Sequence, residues 1–156
     1  MSKAALIASA TALQQPSTQV AQEFEDKREL LAAEINRLMI SRSDLNLLIG
    51  EGNTAMMEDN HRNHARFIAS VFLDFQPPVL VETVLWVFRA YRSHGFHLTY
   101  WPAQLDQWVA LFKIHLSPEA FKEIYPFYHW MIVNQPLFVM ESDKLINLEE
   151  LPSHGN

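Results

Sequence analysis

Seven of the 156 residues are histidine, and His61 and His64 stand three positions apart. An imidazole can ligate a metal, bind haem iron or exchange a proton near neutral pH. Glu58-x-x-His61 has the spacing that turns a carboxylate and an imidazole inward in di-iron bundles, but such a site needs a second pair on another helix, which is absent. His61-x-x-His64 and His94-x-x-His97 repeat one spacing, so His64 and His94 are the candidate metal or haem ligands, brought from neighbouring helices. Haem is the cofactor such ligands would imply. The alternative is that His61 and His64 are half-buried, hydrogen-bonded residues whose charge responds near neutral pH.

Other chemistries are poorly represented. There is no cysteine, which excludes disulfides, thiolate metal sites and a thiol nucleophile. Neither a G-x-S-x-G elbow nor an H-E-x-x-H pair occurs, so no catalytic residue is assigned and the chain reads as a non-enzyme. The net charge of -6 is spread along the chain, which argues against nucleic acid as a partner. No apolar run approaches the ~18 residues of a spanning helix, and the short apolar stretch after Met1 falls below a secretory signal. A cytoplasmic protein without membrane association is expected.

The elements that must position the histidines read as helices. Apolar Val20, Phe24, Leu31, Ile35 and Leu38 recur at helical spacing over residues 18–40, opposite a charged face. Ser43 or Asp44 can cap a short helix, Leu45 to Ile49, which Gly50-Glu51-Gly52 ends. Thr54 can cap the next helix, to about Phe75, whose stripe runs Met57, His61, His64, Ile68, Phe72 and Phe75. Pro77-Pro78 separates it from Val79 to His94, apolar on nearly all sides and therefore the expected central helix, closed by Gly95. Trp101, Leu105, Trp108, Phe112 and Leu116 mark the following helix. Ser117-Pro118-Glu119 starts the last one, which Pro126 and Pro136 should kink or split before about Met140. The expected fold is all-α: one compact bundle of about five to seven helices over residues 17–140, of a size that permits a globin-like arrangement, with a flexible leader at 1–16 and a polar tail at 141–156.

Large aromatics crowd the second half, among them Trp86, Tyr91, Tyr100, Trp101, Trp108, Tyr128 and Trp130. They can build a core or line a pocket, and buried Tyr and Trp want a polar partner either way. His61, His64, Trp86, Tyr91 and Trp108 are the candidate pocket residues.

The segment Asn60 to Trp130 resembles the helical modules that precede cobalamin-binding or haem-instead-of-cobalamin sensor domains in bacterial regulators. The resemblance is carried by His64-Ala-Arg-Phe-Ile, Glu82-Thr-Val-Leu-Trp86, Arg92-Ser-His-Gly-Phe96 and the Leu105, Trp108, Phe112 stripe. It departs at Asn60, where those modules usually carry an acid, and no ligand-binding domain follows in this sequence. It implies a regulatory, non-catalytic role with His64 and Trp86 lining the module's interior. The functional expectation is thus a sensory module acting through a protein partner or as a homodimer, with the 18–40 helix as a candidate contact. The alternative is a globin-like haem or tetrapyrrole sensor with a histidine ligand.

Overall fold

A computed structural model describes residues 3–150, with side chains described through Lys144, and eight α-helices account for most of them. They are α1 (Lys3–Ala10), α2 (Thr18–Ile40), α3 (Leu45–Ile49), α4 (Thr54–Leu73), α5 (Pro77–Ser93), α6 (Tyr100–His115), α7 (Pro118–Val133) and α8 (Gln135–Glu150). No strand occurs among the described residues, so the all-α expectation holds, while the count exceeds five to seven. The additions are α1 and the division near Asn134. Pro126 does not split α7, which runs through it, whereas Pro136 lies in the first turn of α8, where its missing N–H costs nothing.

The helices form two layers. In the first, α2 packs on α4, α6 and α7, and α6 pairs with α7. In the second, α5 lies between α1 and α8, and α8 joins back to α7. The centre is therefore α2, whose Val20, Phe24, Leu31, Ile35 and Met39 are buried. Its apolar stripe covers the protein's own core. Phe24 anchors that core edge-on to Phe72 and Phe112, at ring separations of 5.0 and 5.9 Å.

The position of α5 also differs from expectation. Leu80, Val81, Leu85 and Phe88 are buried, but Val79 is 48% and Trp86 55% exposed. A helix apolar on every side need not be surrounded by helices. Here one side meets the core, one faces solvent, and one walls a cavity.

Within the segment expected to be a leader, residues 3–10 form α1, which packs on the fold. Leu6 and Ala10 are fully buried, and the Trp130 indole N–H donates to Ser9 Oγ at 2.9 Å. Gln15 then closes the C-terminal end of α4, accepting from the Phe75 N–H and donating to the Phe72 carbonyl. α8 continues to Glu150, and Ser142, buried on it, accepts from Arg92 of α5, while residues 151–156 lie outside the described part.

Loop chemistry holds the layers in register. Gly50 has φ +81° and Gly95 φ +99°, conformations that glycine adopts without strain. A Cβ at Gly50 would stand 3.2 Å from the Gly95 carbonyl oxygen, so the two loops touch. Asn53 Nδ2 bridges them by donating to the carbonyls of Ile49 and His94.

The start of α7 is tied to α2. Ser117 caps the helix by accepting from the Ala120 N–H, and its own hydroxyl and N–H donate to Glu23, each at 2.7 Å. Burial opposes the Glu23 charge, yet the bonds from Ser117 and Lys27 hold the carboxyl below its ordinary range. Ser117→Ala is expected to cost about 1–2 kcal/mol, the value of a lost cap plus one charge-assisted bond. Urea unfolding measures it, and an unchanged midpoint would show the tie to be idle.

Candidate functional site

The two layers leave a cavity of about 320 Å³ between α4 and α6 on one side and α5 and α8 on the other. α4 contributes Asn60, His64 and Ile68; α5 contributes Val84, Val87 and Tyr91. Trp101 and Leu105 of α6, Met131 of α7 and Phe138 of α8 complete the apolar walls. Among the described residues, no Asp, Glu, Lys or Arg lines it. Polar character comes only from neutral groups, chiefly Asn60, Asn63, Thr83, Gln104 and Gln135 beside His64. Gln104 is already engaged, accepting from the Trp108 indole at 2.8 Å.

The two histidines of the α4 stripe have different surroundings. His64 is half-buried at the cavity wall, stacked on Trp108 at 4.9 Å with its Nε2 2.6 Å from the Tyr128 hydroxyl. Burial pushes its pKa down to about 3, so it is uncharged at neutral pH. Burial also pushes the Tyr128 phenol well above its ordinary value, so that group keeps its proton.

His61 lies behind the wall, fully buried and outside the cavity. Its Nδ1 is 2.6 Å from Asn36 Oδ1 and its Nε2 is 2.9 Å from the Tyr100 hydroxyl, which accepts from Asn60 Nδ2 at 2.9 Å. Because Asn36 Oδ1 can only accept, Nδ1 carries the proton and Nε2 accepts from Tyr100. Burial, followed by the charges of His64 and Arg62, lowers the His61 pKa to about 3. Neither imidazole therefore changes charge near neutral pH in the folded protein, which corrects the expectation of a neutral-range response.

Of the candidate pocket residues, His64, Trp86 and Tyr91 line the cavity, with Trp86 on its solvent side. His61 and Trp108 do not; Trp108 is the fully buried platform behind His64. The ligand pair His64 and His94 is not gathered there. His94 is exposed at the end of α5, outside the lining, and His64 has given Nε2 to Tyr128. Among the described residues no three His, Asp or Glu side chains converge as a metal site.

Asn36, Asn60 and the two tyrosine hydroxyls are the site residues that the histidine pattern did not single out. Asn36 carried a readable signal, because it interrupts the apolar face of α2 between Ile35 and Met39. No protein-family model, curated protein or solved structure matches this chain. The function therefore has to be argued from the cavity itself, and nothing links the helix arrangement to globins.

Proposed function

We propose that the chain is a non-catalytic sensory module whose cavity takes a neutral, mainly apolar small molecule and transmits its presence to a protein partner. The observation that supports this reading is an apolar cavity of about 320 Å³, without a charged wall, between two helix layers. Specific small-molecule pockets begin at about 300 Å³ and pair apolar walls with a few polar groups. An ion entering here would lose its hydration and meet no opposite charge, which disfavours charged ligands strongly. The resemblance of Asn60–Trp130 to regulatory helical modules supports the sensory role.

Transmission falls to α5. This helix lines the cavity with Val84 and Val87 and also carries Val79 and Trp86 to the surface. A ligand wedged between the layers moves the helix that a partner can reach. The tetrapyrrole reading gains nothing comparable, since the cavity-wall imidazole is engaged by Tyr128 and His94 stands outside.

N-phenyl-1-naphthylamine, an uncharged fluorophore that brightens in apolar surroundings, tests the cavity. A Kd on the order of 10 μM is expected, weakened about tenfold or more by Val87→Trp, which fills the space. Absence of binding, or equal binding by the filled variant, would sink the reading.

A further inference from the structure

The other face of α4 carries a second opening. A groove of about 260 Å³ runs along the α2–α4 seam, floored by Ala32, Ala33 and Ala65. These small side chains leave space that larger ones would occupy. Arg28, Arg62 and Arg66 border the groove, and among the described residues Glu29 is the only acid in its lining. Three guanidinium groups thus gather in a chain that has only 12 basic residues and a net charge of -6.

Most of their donors are uncommitted. Arg28 gives Nε to Glu25, and Arg62 gives one terminal nitrogen to Asp59. Arg66 has no hydrogen bond or ion pair among the described residues. The groove also reaches Asn36, only 8% exposed, whose Oδ1 is taken by His61 while its Nδ2 has no partner among the described residues. Guanidinium forks bind phosphate and carboxylate oxygens two bonds at a time, and a buried amide N–H supplies a further donor.

Asn36 connects this groove with the cavity. Asn60, on the cavity wall, donates to Tyr100; Tyr100 donates to His61; His61 donates to Asn36 on the groove wall. His61 is closed from solvent and Tyr100 fully buried, and all three bonds point the same way.

We propose that the α2–α4 groove binds a small oxyanion, a phosphate or carboxylate group, and that its occupancy tightens ligand binding in the cavity through Asn36, His61, Tyr100 and Asn60. An anion accepting from Asn36 Nδ2 makes Asn36 Oδ1 a stronger acceptor. Polarisation then passes along the row, because hydrogen bonds in series strengthen one another at low dielectric. It ends at Asn60 Oδ1, which becomes the better acceptor for an N–H or O–H on the cavity ligand. By linkage, the cavity ligand tightens the anion by the same factor. The coupling rests on the cavity reading above, whereas the groove does not.

The test uses inorganic phosphate and, separately, acetate, titrated calorimetrically into the full chain against chloride at constant ionic strength. Saturable binding of one of them is expected, weakened about tenfold by Arg66→Gln. Which one binds distinguishes phosphate from carboxylate chemistry. N-phenyl-1-naphthylamine, whose amine N–H can donate to Asn60, should then bind about fivefold tighter with the anion present. Tyr100→Phe cuts the row at a residue that lines neither opening, so both ligands should still bind and the enhancement should vanish. No saturable anion binding, or binding indifferent to Arg66→Gln, overturns the groove. Equal fluorophore affinity with and without anion overturns the coupling. Anion binding in a protein that never takes up the fluorophore overturns the coupling together with the cavity reading and leaves the groove standing.

Discussion

Lowering the pH from 7.5 to 5.0 is expected to remove about 4 kcal/mol of folding stability, through His61 and His64 alone. Both imidazoles have folded pKa values pushed from 6.5 to about 3, in each case chiefly by burial. The unfolded chain takes up two protons as the pH falls through 6.5, and the folded chain refuses them until about 3. Stability is therefore complete above 6.5 and declines across the whole window down to about 3. Each histidine contributes a loss of about 1.4 kcal/mol per pH unit, or about 2 kcal/mol at pH 5.

Because domains of this size are stable by only about 5–15 kcal/mol, a loss of about 4 kcal/mol is a large fraction of the total. The carboxyls of Glu23, Glu34 and Asp44, held below their ordinary range, extend the loss to still lower pH. Urea titrations at pH 7.5 and 5.0 measure the difference. His64→Gln, whose amide can still bond Tyr128, should halve the slope. Two imidazole Cε1–H resonances that stay still between pH 8 and 5 would identify the histidines concerned. A wild-type stability that is flat over that range would show that both side chains ionise freely in the fold.

The same pair shows where sequence reading reaches its limit. His61 and His64 share a helical stripe, and that stripe was legible from spacing, as were the Pro77-Pro78 break, the Ser117-Pro118 start and the turns at Gly50 and Gly95. What each imidazole meets was not legible. His61 is satisfied by Asn36, 25 residues before it, and Tyr100, 39 after it; His64 by Tyr128, 64 after it. Periodicity reports the face a residue occupies, and only tertiary packing decides what lies opposite.

α5 shows a second limit of the same kind. Its Val, Leu, Trp and Phe run reads as the middle of a bundle because a cavity wall and a core wall are made of the same residues. The helix α1 was missed for a different reason. Eight residues with two fully buried positions are too short to display a period, and their docking depends on Trp130 at the far end of the chain. The polar members of the site were hidden because Asn and Tyr in helices are common and become informative only when paired.

Two tryptophans near the cavity should separate stability from binding. Trp108 is fully buried, stacks on His64 at 4.9 Å, meets His61 edge-on at 6.1 Å and Phe112 at 6.0 Å, and donates to Gln104. Trp108→Ala removes an aromatic core side chain from between α4 and α6 and leaves the buried Gln104 oxygen without its donor. A loss of about 3–5 kcal/mol is expected, the range for large aromatics truncated in a packed core. Trp86 is 55% exposed and touches the cavity from its solvent side, so Trp86→Ala should alter stability by less than about 0.5 kcal/mol. Its effect should appear in the N-phenyl-1-naphthylamine affinity, weakened severalfold by the loss of an aromatic wall. Chemical unfolding and fluorophore titration on both variants give four numbers. The expected pattern is a large stability loss for Trp108→Ala and a binding loss at near-native stability for Trp86→Ala. If Trp86→Ala left binding unchanged, the fluorophore would not be using the mouth formed by α5, and this helix would lose its place as the element that senses the ligand. If Trp108→Ala cost less than about 1 kcal/mol, the imidazole platform would not be part of the packed core, and the low pKa of His64 would lose its structural cause.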